Sequence, residues 1–196
     1  GDHRDLHSFP TRRSSDLIDA PVTGGDVGAK QGTLTIMAGG SERAFNAVKP
    51  IFEAMGKTII HAGPVGSGQK MKLVNQVAIA LETVAMVEAI ELAKASGLDI
   101  NQVYQVLSNG GARSFTIEAY MPRLMKGDME PGFKAAHLRK DLKYAEELAA
   151  GLNVPLIGGS LALQLFTALT NMGMGEKGVH ALLKLYDGLT GLNEMH

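Results

Sequence analysis

The stretch Gly63-Pro64-Val65-Gly66-Ser67-Gly68-Gln69-Lys70-Met71-Lys72-Leu73-Val74-Asn75-Gln76 decides the reading of this chain. Gly63, Gly66 and Gly68 lead into an apolar run of helical period, which predicts a tight loop opening a helix at about Gln69. A helix entrance exposes unpaired backbone N–H groups and the positive end of the dipole, and so disfavours a nearby cation. A lysine in the first turns, Lys72, is useful there if it must give up a proton. Residues three and four apart share a helix face, so Lys72, Asn75 and Gln76 can address one ligand together.

The chain changes character at this loop. Upstream, residues 18–62 alternate strand and helix. A short apolar strand over Ile18–Val22 ends in the turn Thr23-Gly24-Gly25, and Leu34–Ala38 forms a second strand stopped by Gly39-Gly40. Ser41 caps a helix to about Met55, with Ala44, Phe45, Val48, Ile51 and Phe52 on one face and Pro50 expected to kink or divide it. Thr58–His61 is a third strand. Downstream, one helix runs from Gln69 to about Ser96, stopped by Gly97. At 1.5 Å per residue it is roughly 40 Å long and apolar on nearly all faces, which suits a helix buried between domains or subunits. Helices follow over Asp99–Ser108, Phe115–Met125, Lys134–Ala150, Leu156–Met172 and Lys177–Leu189, with Met121, Met125 and Met129 read as packing.

Composition narrows the function classes. The 196 residues are 45% hydrophobic with a net charge of −1, and the basic residues are scattered, which excludes a nucleic-acid binder or a disordered chain. With no cysteine there are no disulfides or thiolate metal sites, and the six isolated histidines offer no metal face. The absence of cysteine fits a reducing, cytoplasmic setting. Lys72, Glu82, Glu88 and Glu91 interrupt the long helix, so it does not read as a membrane span.

Three separated motifs carry a resemblance: Asp19-Ala20-Pro21-Val22-Thr23-Gly24-Gly25 with Gly32–Gly40 behind it, then Lys72-Leu73-Val74-Asn75-Gln76, then Pro131-Gly132-Phe133 leading to His137-Leu138-Arg139-Lys140-Asp141. In order and spacing the chain resembles the β-hydroxyacid dehydrogenases, the family of 3-hydroxyisobutyrate dehydrogenase and tartronate semialdehyde reductase (2-hydroxy-3-oxopropionate reductase). The likeness runs from about Ile18 to Leu189. It implies an α/β remnant of a doubly wound Rossmann-type domain over 18–67, then an all-α domain over 68–196, joined by the long inter-domain helix. Residues 1–17 lie outside the likeness. Ser8–Leu17 reads like a translated sequencing adapter, and no Gly-x-Gly-x-x-Gly turn precedes Asp19, so the chain is expected to be a C-terminal portion, inactive as it stands.

The resemblance also implies a site. Thr23, Gly24 and Gly25 would bind the substrate carboxylate through a hydroxyl and closely spaced N–H groups, with Thr23 where the family usually has serine. Lys72 matches the catalytic lysine. A lysine of ordinary pKa, about 10.4, holds its proton too tightly at neutral pH; burial, the helix entrance and a cationic nicotinamide would each loosen it. Asn75 would orient the substrate hydroxyl or hold Lys72, with Gln76 beside the substrate. Phe133, Lys140 and Asp141 would face the cofactor, NAD or NADP. Asn75-Gln76 departs from the histidine–asparagine pair of the 6-phosphogluconate dehydrogenases, and Lys72 departs from the imine reductases.

The implied activity is NAD(P)-dependent interconversion of a short β-hydroxy acid and its semialdehyde, in a homo-oligomer formed through the helical domain. Thr23, Lys72 and Asn75 are expected to line one cleft. A competing reading is a non-catalytic, dehydrogenase-like helical dimerisation module, although such a module has no chemical need for Lys72 and Thr23.

Overall fold

A computed structural model describes residues 17–192. The expectation of an adapter-like tail over residues 1–17 therefore lies outside the described residues, Leu17 apart. Contacts divide the chain into two units, residues 1–72 and 73–196.

In the first unit three strands form one sheet in the order β1 (Val22–Thr23), β2 (Leu34–Gly39), β3 (Gly56–Gly63). β1 runs antiparallel to β2, with Val22 opposite Ile36, and β2 runs parallel to β3, with Ile36 opposite Ile59. β1 is shorter than the sequence predicts. Pro21 has no N–H to give the ladder; only its carbonyl takes part, accepting from Met37 N–H, and Asp19 pairs separately with Gly39. Between β1 and β2 the sequence gives no sign of α1 (Gly25–Gln31), a short helix closed by Gly32 in the left-handed region.

α2 (Glu42–Glu53) begins at Ser41, whose hydroxyl accepts from Ala44 N–H at 3.2 Å, and it runs through Pro50 undivided. Pro50 forfeits one intrahelical hydrogen bond near the helix end, where few bonds remain to be lost. Phe45 and Phe52 of α2 pack on Leu34, Ile36 and Ala38 of β2, forming the core of this unit. The His61 ring stacks on Phe45 and its Nε2 lies 2.8 Å from Gly40 O.

α3 (Ser67–Ala95) is the long helix, starting two residues earlier than its sequence signal. Its end is closed by Gly97 at φ +66°, with Leu98 N–H donating to Ala93 O. By length and composition α3 is sufficient to cross a membrane, with a mean hydropathy of 1.5. Its polar residues instead tie it into the second unit: Thr116 donates to Glu82, and Lys94 donates to Glu91 and to Asp187. That is how a core helix of a helical domain is held.

The second unit continues with α4 (Ile100–Asn109), α5 (Phe115–Leu124), α6 (Ala135–Gly151), α7 (Ile157–Leu169) and α8 (Leu182–Thr190). Asp99 and Ser114 cap α4 and α5 through Asn101 N–H and Ile117 N–H. The expected last helix is divided: a 3-10 turn over Val179–Ala181 precedes α8, and a π turn over Thr170–Met174 closes α7. The core gathers Val84, Met86, Val87 and Ile90 of α3 with Met121, Leu138, Phe166 and Leu182, and Met125 and Met129 pack against it as expected. Fully burying each large side chain is worth about 1.5–3 kcal/mol. A Cβ on Gly158 of α7 would fall 2.9 Å from the end of the Leu81 side chain of α3.

Candidate active site

The predicted site residues fall into two groups, one in each unit. In the first unit, Thr23, Gly24 and Gly25 lead from β1 into α1. Gly24 and Gly25 have φ of +123° and +63°, which L side chains rarely adopt, and a Cβ on Gly25 would meet nothing within 4 Å. The turn is exposed at both glycines, and half-buried Thr23 stands beside them with a hydroxyl. Open space over consecutive N–H groups is what a carboxylate or a cofactor edge requires.

The entrance of α3 differs from its sequence reading. Its N–H groups are not left to a ligand: Gly66 N–H donates to Asp19 Oδ1 at 2.6 Å and Gln69 N–H to Asp19 Oδ2 at 2.8 Å. The Asp19 carboxylate already answers the positive end of the dipole. The glycines serve this junction. A Cβ on Gly68 would fall 2.3 Å from Met37 O, and one on Gly39 would fall 2.8 Å from Gly68 N, so only glycine lets β2 and the start of α3 approach. Sequence reasoning assigned no role to Asp19, because its partners lie 47 and 50 residues away. Lys72 follows one turn after Gln69 and is half-buried, whereas Lys70 is exposed.

In the second unit, Asn75 is half-buried and Gln76 is completely buried. Asn75 Nδ2 donates to Gln76 Oε1 at 2.9 Å, and Gln76 Nε2 donates to Asp141 Oδ2 at 2.7 Å. Asn75, Gln76 and Asp141 are therefore brought together, with α3 and α6 each contributing. Lys140 Nζ lies 3.5 Å from Asp141 Oδ1 and its side chain is 59% exposed. Phe133, half-buried, packs against the helical core and lies beside His137.

The loop carrying Phe133 is held by the C-terminal segment. Gly178 N–H donates to Met129 O, Val179 N–H to Phe133 O and Ala135 N–H to Lys177 O. His180, fully buried, stacks on Tyr120 and directs Nε2 to Asp128 O at 2.8 Å. Burial pushes its pKa down. No sequence signal pointed to His180. Among the described residues no group of three His, Asp or Glu side chains is placed to hold a metal ion.

Comparison with known proteins adds to this geometry. A family profile described as NAD-binding of NADP-dependent 3-hydroxyisobutyrate dehydrogenase matches residues 66–186, and one described as NAD binding domain of 6-phosphogluconate dehydrogenase matches residues 2–63. The chain is 40% identical to 2-hydroxy-3-oxopropionate reductase of Escherichia coli, over 86% of this chain and 58% of that protein. It is 41% identical to an uncharacterized oxidoreductase of Bacillus subtilis, over 86% of this chain and 59% of that protein. A crystal structure of 3-hydroxyisobutyrate dehydrogenase from Salmonella typhimurium superposes with a TM-score of 0.81 at 33% identity, over 87% of this chain and 60% of the other. The chain thus spans about three fifths of the length of these relatives.

Proposed function

The chain belongs to the β-hydroxyacid dehydrogenase family, and from that premise we propose that it interconverts a short β-hydroxy acid and its semialdehyde with NAD or NADP. The candidate substrates are 3-hydroxyisobutyrate and tartronate semialdehyde, with Asn75-Gln76 leaning toward the second. The observation that carries the reading is that α3 presents, three residues apart, a half-buried Lys72 and an Asn75 whose amide is held by a buried partner.

The chemistry assigns each group a task. Thr23 hydroxyl and the N–H groups at Gly24 and Gly25 hold the substrate carboxylate. In oxidation, neutral Lys72 Nζ accepts the hydroxyl proton as the C–H bond breaks and C=O forms; in reduction its ammonium returns that proton to the carbonyl oxygen. Asn75 orients the reacting oxygen. A bound nicotinamide supplies the hydride acceptor or donor. The turn at Gly25, where a Cβ would meet nothing within 4 Å, leaves room for such a group. On this reading Phe133 would exclude water on the cofactor side, and Lys140 and Asp141 would face the cofactor, the two side chains lying 3.5 Å apart. Gln76 stands behind Asn75.

The same reading includes self-association. Val74, Ala78, Leu81, Ala85, Glu88, Leu92 and Ala95 form an exposed stripe along α3, all apolar but Glu88. Their spacing of four and three is that of a helix–helix seam, which supports a homo-oligomer formed through the helical unit. A reducing, cytoplasmic setting fits a chain without cysteine.

The experiment is turnover by the complete protein that carries this chain, followed by nicotinamide absorbance, with each substrate against NAD and NADP. The expected result is turnover of at least one pair at about 1–1000 per second. Cofactor binding without turnover of any short β-hydroxy acid or semialdehyde would overturn the proposal.

A further inference from the structure

We infer that Asp141 and Gln76 are positioning residues: they form a relay that sets the polarity of the Asn75 amide, so that its oxygen, and not its nitrogen, meets the reacting hydroxyl. The inference rests on the reading of Asn75 as the residue that meets the substrate.

The argument follows from donors and acceptors. An ionised carboxylate only accepts, so Asp141 Oδ2 obliges Gln76 to turn its Nε2 toward it, at 2.7 Å. With the nitrogen so placed, Gln76 Oε1 faces Asn75 and accepts from Nδ2 at 2.9 Å. Gln76 has no exposure to water, so a reversed amide would set its oxygen against the Asp141 carboxylate with no solvent to relieve it. The orientation therefore passes from a charge on α6, through a buried amide, to the adjacent residue on α3. Asn75 Nδ2 is engaged, and Oδ1 is the end turned to chemistry. An acceptor there can take the substrate O–H or a Lys72 N–H; a donor there would compete with Lys72 for the reacting oxygen.

The relay can be broken and rebuilt. Gln76→Glu sets two carboxylates against each other. In the double variant Gln76→Glu with Asp141→Asn, the amide at 141 donates to the carboxylate at 76, which still accepts from Asn75 Nδ2. In the complete protein, Gln76→Glu should lower kcat about ten- to a hundredfold, as misplaced catalytic geometry does. The KM for the nicotinamide cofactor should stay within a few-fold. The double variant should recover most of the lost kcat, which a merely space-filling role of Gln76 would not produce. Failure to recover, with both variants folded by circular dichroism, overturns the inference.

If Gln76→Glu does not fold alone, folding regained in the double variant supports the coupling, and neither variant folding overturns it. A second readout is independent of turnover: the Asn75 side-chain amide resonance of the wild-type protein should move in Gln76→Glu and return in the double variant. If the wild-type protein oxidises no hydroxy acid, the proposed function fails while this resonance still judges the relay. A resonance unchanged across all three proteins overturns it.

Discussion

Asp19→Ala should loosen the start of α3, one turn before Lys72. The substitution removes both acceptors of the cap, the one at 2.6 Å from Gly66 N and the one at 2.8 Å from Gln69 N. A hydrogen bond to a charged group is worth about 1.5–3 kcal/mol, and loss of a helix N-cap about 0.5–2 kcal/mol. Gln69 is exposed, so its N–H regains water; Gly66 is half-buried and regains less. The loss therefore comes to about 2 kcal/mol for alanine, and roughly half that for asparagine, which keeps one acceptor. At 1.4 kcal/mol per factor of ten, 2 kcal/mol corresponds to roughly thirtyfold faster exchange of the Gly66 amide when the junction opens locally. Amide hydrogen exchange by NMR reads this directly, with the amide of Phe45 in α2 as the internal reference. The order expected is alanine fastest, asparagine intermediate, wild type slowest. Exchange at Gly66 within threefold of wild type in Asp19→Ala would refute the assignment of Asp19 as the cap of α3.

Lys94→Met removes the ammonium between Glu91 and Asp187, whose side chains are 7% and 4% exposed, leaving Asp187 with Lys184 and Glu91 with Thr190, and should cost about 3 kcal/mol in urea unfolding, the low end for breaking a buried pair. The pH dependence of this cluster follows from its two shifts. Burial alone would raise Asp187 but the Lys184 and Lys94 ammonium groups hold it below 3.8, and burial alone would lower Lys94 but Asp187 and Glu91 hold it above 10.5. Its contribution is therefore present between those values, lost as pH falls through the depressed Asp187 value or rises through the elevated Lys94 value, and Asp187→Asn should flatten the acid limb of stability against pH. Burial keeps His180 neutral with its pKa below 6.5, so its folded state binds fewer protons than the unfolded one. Stability should fall as pH drops below that value, and His180→Gln should remove that slope. Val74→Glu with Leu92→Glu charges two positions that are 66% and 70% exposed; sedimentation should show dissociation with circular dichroism unchanged, whereas unaltered assembly would exclude this stripe as the interface.

Much of the architecture is legible in the sequence because it is local. The period of α3, the Ser41 and Asp99 caps and the Gly97 stop each follow from residues within a few positions of one another. α1 escapes because a helix that begins at Gly25 and includes Gly28 has no apolar period to announce it. β1 is misjudged because apolar character extends through Ile18–Val22 while Pro21 interrupts the ladder. The site divides along the same line. Lys72, Asn75 and Gln76 are visible as neighbours on one helix, but the roles of Asp19, Asp141 and His180 depend on partners 47, 65 and 52 residues away. Gln76 shows the limit well: sequence places it beside Asn75, and only the fold shows it sealed from water against a carboxylate of α6.

The most direct test of the account is the kcat of Lys72→Ala in the complete protein, measured with the β-hydroxy acid or semialdehyde it turns over. A general acid–base group is worth about two to four powers of ten, and kcat should fall by that amount while cofactor affinity changes little. A kcat within a few-fold of wild type would remove Lys72 from the mechanism and contradict the assignment of this helix as the catalytic one.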